Sequence, residues 1–210
     1  MGRVILLAQQ KGGAGKTTLL TQLAAHYAGQ GERVVILDLD PQRSAAGWFA
    51  AREGRLGHGG GIVLGESKEW RAASDMKEWA GKADRVLVDA PGSADVLGRG
   101  AMRAADFALI PCQPSMADVW ASEPTLAMAA KAGLPHALVL NRMPPRGRAA
   151  DTVIARLAEI GAPVLEARLG QRTAFVEAFM AGAGVTEMAP RSKAAGEIAA
   201  LAEALDRELG

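Results

Sequence analysis

The sequence predicts an α/β fold, a mainly parallel twisted sheet with helices on both faces, and three observations carry that expectation. Apolar runs such as Val4 to Ala8, Val34 to Leu37 and Val86 to Val88 alternate with helix-periodic stretches. They lack polar alternation, as strands buried on both faces do. A glycine-rich loop, Gln9-Gln10-Lys11-Gly12-Gly13-Ala14-Gly15-Lys16-Thr17-Thr18, joins the first run to a helical segment. Finally, Asp38, Asp40, Asp89 and Asn141 stand at or just beyond strand ends. Right-handed crossovers gather such ends on one rim, where open parallel sheets take ligands.

Composition narrows the class. The 210 residues are 49% hydrophobic and 22% charged with net charge +1, which suits one compact domain over 1–210 and leaves bulk charge indifferent to nucleic acid or membrane. The single cysteine, Cys112, excludes a disulfide framework or an iron–sulfur site and reads as a small buried hydrophobe. The apolar run after Arg3 is too short for a signal peptide or membrane span, so a cytoplasmic location is expected.

Each element has a local reason. Leu19, Leu20, Leu23, Ala24 and Tyr27 recur at helical spacing until Gly29 to Gly31 stops them. Val34 to Leu37 is a strand, and Ser44 is expected to cap a short helix through Trp48 and Phe49. After the loop near Gly57 to Gly61 come a weak strand, Gly61 to Leu64, and an amphipathic helix, Lys68 to Lys82, whose Trp70 and Trp79 read as core or docking surface. Strand Arg85 to Val88 ends in Asp89 and a Pro91-Gly92 turn; a helix near Leu97 to Ala105 follows. Strand Asp106 to Ile110 is expected to break at Pro111. Then come helix Asp118 to Ala132, strand His136 to Leu140, basic loop Pro144 to Arg148, helix Asp151 to Ile160, and short strand Pro163 to Leu165. Helices Arg172 to Ala181 and Ser192 to Leu209 close the chain.

The loop carries the chemistry. Gly12, Gly13, Ala14 and Gly15 let backbone N–H groups converge on phosphate oxygens at a helix N-terminus. Lys16 supplies a mobile charge for the outer phosphates, the Thr17 hydroxyl can ligate Mg²⁺, and Thr18 stands near the α-phosphate. The usual pattern puts glycine where Gln10 stands, and a second lysine, Lys11, occupies the loop's mouth.

This departure resembles the deviant phosphate loop (deviant Walker A) of the ParA/MinD family of P-loop ATPases, and the likeness extends over nearly the whole chain. The resemblance implies ATP and Mg²⁺ as cofactors and ATP hydrolysis as the reaction. It implies that Lys11 reaches the partner subunit's nucleotide, making an ATP-dependent homodimer, and that Asp40, in Asp38-Leu39-Asp40-Pro41, orients the attacking water. Asp38 and Asp89 would support the metal shell, and Asn141 would contact the adenine. Asp40-Pro41-Gln42 and Ala90-Pro91-Gly92 would act as switch loops. The chain looks like the small ParA, ParF-like partition branch, without room for an N-terminal helix-turn-helix.

That branch binds nucleoid DNA without sequence preference. Candidate contacts are Arg142, Arg146, Arg148, Arg168, Arg172, Arg191 and Lys193. The alternative is a solvated face balanced by Glu159, Glu166, Glu177 and Glu187. Resemblance also implies a small partner protein, ParB-like or a cargo adaptor, that stimulates hydrolysis. The cargo stays open: plasmid, chromosome, chemoreceptor array or carboxysome. The last helix carries Ile198, Leu201, Leu205 and Leu209 opposite an acidic face, so it is expected to pack on the core and not on a membrane. Two other readings are a ligase of the dethiobiotin synthetase kind, against which Lys11 and the Asp38 to Pro41 motif argue, and a non-hydrolysing scaffold, against which Asp40 and Asp89 argue.

Overall fold

A computed structural model describes residues 1–67, 69–92 and 96–210. Its sheet has seven strands: β1 (Arg3–Leu7), β2 (Val34–Asp38), β3 (Ile62–Gly65), β4 (Arg85–Asp89), β5 (Phe107–Cys112), β6 (His136–Met143) and β7 (Val164–Gly170). They lie in the order β3-β2-β4-β1-β5-β6-β7, and every pairing between neighbours is parallel. The first helix, α1 (Lys16–Gly29), leads from central β1 towards β2, whereas β5 lies on the other side of β1. The chain therefore diverges at β1, which puts the glycine loop at the sheet's switch point.

Central strands feed two faces. Ile5 and Leu7 of β1 pack with α1, α2 (Ser44–Leu56) and the closing helices α7 (Thr173–Met180), α8 (Val185–Met188) and α9 (Lys193–Leu209). Val4 and Leu6 pack instead with α3 (Ala72–Ala80) and residues of α4 (Val96–Ala104). A third cluster joins β5 and β6 to α5 (Met116–Ala132) and α6 (Arg148–Glu159). In α9, Ile198, Leu201 and Leu205 are fully buried, as expected of a core-packed helix. Each contributes roughly 1.5–3 kcal/mol by leaving water.

Several boundaries differ from expectation for physical reasons. β5 runs through Pro111 to Cys112. The backbone of Pro111 faces the β1 side beyond that strand's end, where its carbonyl accepts from Gln9 Nε2 at 3.1 Å. The missing N–H therefore costs no ladder bond. β7 extends to Gly170, because Leu165, Ala167 and Leu169 face inward while Glu166 and Arg168 face out, the alternation of an edge strand. β6 continues to Met143 and α6 begins at Arg148. Short α8 was not expected. The helix expected over Lys68 to Lys82 is a 3₁₀ turn, Glu69–Arg71, followed by α3; Lys68 lies outside the described residues. Trp79 is half-buried, whereas Trp70 is 80% exposed. Ser44 is the first residue of α2, not its cap; the cap position belongs to Arg43, at φ 53.

Candidate functional site

The loop between β1 and α1 depends on backbone shapes that only some residues tolerate. Gly13 and Gly15 have φ of 79 and 103, and Gly15 is also crowded: a Cβ there would lie 2.3 Å from Asn141 Nδ2. Gly15 caps α1 without a side-chain hydrogen bond, so the first amides of α1 open towards the loop. Lys16 is buried, its Nζ donating to the Gln9 carbonyl at 3.2 Å.

Beside it, Thr17 Oγ1 donates to Asp89 Oδ2 at 2.6 Å. Asp89 is fully buried, its Oδ1 has no partner, and burial pushes its pKa up to about 7 despite the Thr17 bond and nearby Lys16. A buried, unpartnered carboxylate oxygen next to a hydroxyl suits a divalent cation. No cluster of three or more acidic, His or Cys groups is present among the described residues. Such a sparse donor set fits Mg²⁺, which keeps several waters and takes phosphate oxygens.

Asp38 faces Asp89 across the β2–β4 pairing. Its oxygens are taken by backbone amides, Oδ1 by Asp40 N–H at 3.2 Å and Oδ2 by Ala46 N–H at 2.9 Å, so it staples the loop to α2. Burial raises its pKa. Asp40 Oδ1 accepts from Gln42 N–H at 2.9 Å in a tight turn. Arg43 Nη1 donates to the Asp38 carbonyl at 2.7 Å and closes the loop from outside.

These residues line one cleft with two lobes. The polar lobe is bounded by Gly12 to Thr18, Asp40, Gln42, Ser44 and Gly92. The apolar lobe, about 350 Å³, is walled by Asn141, Leu169, Phe175, Val176, Phe179 and Met180. Asn141 braces the junction: Nδ2 donates to the Ala14 carbonyl at 2.9 Å and Oδ1 accepts from Arg142 N–H at 2.9 Å. The apolar wall from α7 escaped sequence reading. Its signal, Phe175, Val176 and Phe179 after a strand end, had been used only as a family likeness.

Lys11 is turned elsewhere. Its Nζ meets Asp118 Oδ2 at 2.5 Å, and the polar lobe is lined by Gln10 and Gly12 but not by Lys11. Asp118 is almost wholly buried at the start of α5, where Ser115 Oγ also contacts it, and Asp118 Oδ1 has no partner. Gln113 Nε2 donates to the Gly13 carbonyl at 2.7 Å. The β5–α5 junction thus holds the loop from a third side. Its readable trace was Ser115 three residues before Asp118, a helix N-cap pattern.

The seven candidate DNA residues fall at one corner, on β6, its following loop, α6, β7 and the starts of α7 and α9. Arg142, Arg146, Arg148, Arg168, Arg191 and Lys193 are exposed, and none makes an ion pair among the described residues. Arg172 differs: it is bound to Glu197 at the start of α9. The acids thought to balance this face are partly committed away from it, Glu159 to Arg156 and Glu187 to Arg52 and Arg55.

The sheet order, the glycine loop and the two-lobed cleft together define a nucleotide-binding protein of the phosphate-loop α/β class. Residues 5–185 match the model of the CobQ/CobB/MinD/ParA nucleotide binding domain. The chain belongs to this family and is a ParA/MinD-type ATPase. It is 33% identical over 204 residues to the maintenance of carboxysome distribution protein A of Halothiobacillus neapolitanus, covering 92% of this chain and 91% of that protein. It is 30% identical over 193 residues to the protein ParA of Rhizobium radiobacter, covering 88% and 86%. Among solved structures, it is similar to the septum site-determining protein MinD of Pyrococcus horikoshii complexed with Mg-ADP, at TM-score 0.80 and 22% identity, over 100% of this chain and 98% of that one.

Proposed function

We propose that this protein is an ATP-dependent dimerising ATPase that positions cargo by nucleotide-controlled, sequence-independent binding to nucleoid DNA, released when a partner protein stimulates hydrolysis. The observation that carries this reading is the division of labour between two lysines in one loop. Lys16 lies within the nucleotide cleft, whereas Lys11 is turned from it onto Asp118. A loop cation outside its own phosphate lobe is available to a second subunit's nucleotide.

In this reading Lys16, the amides from Gly12 to Thr18 and the start of α1 hold the phosphates, and Asn141 borders the base. Thr17 and Asp89 would hold Mg²⁺, with Asp38 keeping the adjoining loop in shape. The metal neutralises charge on the phosphates when bound. Asp40, fixed by its turn, orients water at the same lobe. Asp40 to Gln42 and Ala90 to Gly92 flank the lobe as loops able to respond to the terminal phosphate. The exposed cations of the β6–β7–α9 corner supply salt-dependent contacts to DNA phosphates.

A protein cargo is a specific second reading, favoured by likeness to a carboxysome-distribution protein across 92% of the chain. Phosphate release separates the possibilities when measured with Mg²⁺-ATP alone, with DNA, and with DNA plus the product of the neighbouring gene. The proposal expects hydrolysis to rise with DNA and partner together. Turnover dependent on a small carboxylic acid and indifferent to DNA would point to a ligase instead.

A further inference from the structure

We propose that Arg142 is a nucleotide-contact residue, the cation that meets the α-phosphate and ribose where the two lobes of the cleft join. This rests on the nucleotide-binding reading above and adds a residue to it. Thr18, Arg142 and Phe179 border both lobes, so Arg142 stands at the boundary between the polar and apolar ends.

The backbone explains how an arginine comes to be there. Leu140 pairs with Arg168 and Met143 with Gly170, three steps along β6 against two along β7. β6 therefore carries one extra residue, a bulge, and Arg142 within it has φ 52. An L-residue other than Gly, Asn or Asp is disfavoured in that left-handed conformation. Bulges re-aim side chains beside functional sites, and such strain persists where surrounding contacts impose it. Here the imposing contact is Arg142 N–H to Asn141 Oδ1, from the same Asn141 whose Nδ2 holds the phosphate loop. Arg43, at the other end of the cleft, is the only other non-glycine residue with positive φ among the described residues.

Charge points the same way. Lys11 is bound to Asp118, and Lys16 lies at the phosphate loop, bonded to the Gln9 carbonyl. Arg142 makes no ion pair among the described residues, and it is the basic residue that borders both lobes. An anionic group linking an apolar base to outer phosphates is the ligand chemistry that meets it. In this assignment Arg142 serves the nucleotide, and the DNA surface is left to the other exposed cations of the corner.

Calorimetric titrations of ADP, AMP and adenosine into wild type, Arg142→Gly and Arg142→Lys test the assignment. Glycine takes the left-handed backbone freely, so Arg142→Gly keeps the bulge, and its Tm should equal or exceed that of wild type. The expected result is about tenfold weaker ADP and AMP binding to Arg142→Gly, the loss of one charge-assisted contact, with adenosine unchanged. Arg142→Lys should fall between. Wild-type affinity of Arg142→Gly for ADP and AMP, at preserved Tm, overturns this inference alone. An equal loss for adenosine overturns the α-phosphate assignment. No binding by the wild type removes the nucleotide reading and this inference together.

Discussion

The two ends of the sheet's ligand rim are built on opposite terms. Around β1, β2 and β4, polar groups are buried and tied to one another: Thr17 to Asp89, Asp38 to two amides, Lys16 to Gln9. At the β6–β7–α9 corner, six cations are exposed and, among the described residues, unpaired. The first region fixes positions before a ligand arrives, which chemistry on a phosphate needs. The second gathers charge without fixing geometry, which suits a repeating phosphate backbone read without sequence. Arg172 marks the boundary, since its bond to Glu197 turns a corner cation into a fold contact.

The largest expected effect comes from breaking the fixed end. Gly15→Ala must place a Cβ 2.3 Å from Asn141 Nδ2 at φ 103. It should cost about 2–4 kcal/mol and abolish nucleotide binding, checked by denaturant unfolding and ADP titration. Retained affinity at wild-type stability would show that Asn141 does not brace this loop.

Next comes Asp89, whose effect changes with pH. Folded Asp89 holds its proton up to about pH 7, while the unfolded chain releases it near pH 4. In the ligand-free protein the folded state binds the extra proton between those values. Stability from this source is full below about pH 4 and declines as pH rises through 7. Asp89→Asn should therefore raise the ligand-free stability at pH 8 by ~1–3 kcal/mol and flatten its pH dependence while losing Mg²⁺-dependent nucleotide binding. A lower Tm at pH 8 would contradict the account of Asp89.

The exposed end should respond more gently and only to salt. Replacing Arg146, Arg148 and Arg191 with alanine should leave Tm within about 1 °C, as surface changes do. In the ATP state it should reduce the slope of log affinity for DNA against log salt by roughly 3 × 0.9. An unchanged slope would remove this corner from DNA binding. Smaller still is Asp118→Asn, which weakens the hold on Lys11. It should lower the ATP concentration needed for dimerisation by about three- to tenfold, read by light scattering, through a gain of roughly 1 kcal/mol.

The same contrast governs what the sequence disclosed. The fixed end was legible because its chemistry is local: glycines before Lys16 and Thr17, and aspartates closing the apolar runs of β2 and β4. Arg142 was legible only as one positive charge among several, since its bulge depends on register with β7, and β7 itself read as a three-residue strand. Pro111 misled in the opposite direction, because its effect depends on where β1 ends beside it. Asp118 lies 107 residues from Lys11 in the chain, a distance no local pattern spans. The strand order followed from alternation and handedness, whereas pairings across long separations needed the folded chain.

The central claim is that the loop's two lysines act on different nucleotides, and molecular mass measures it directly. Light scattering of wild type and Lys11→Ala, each with Mg²⁺ and a non-hydrolysable ATP analogue, should give a dimer for the first and a monomer for the second. Both should bind the analogue with comparable affinity. A monomeric wild type at saturating analogue, or a Lys11→Ala protein that dimerises equally well, would contradict the account.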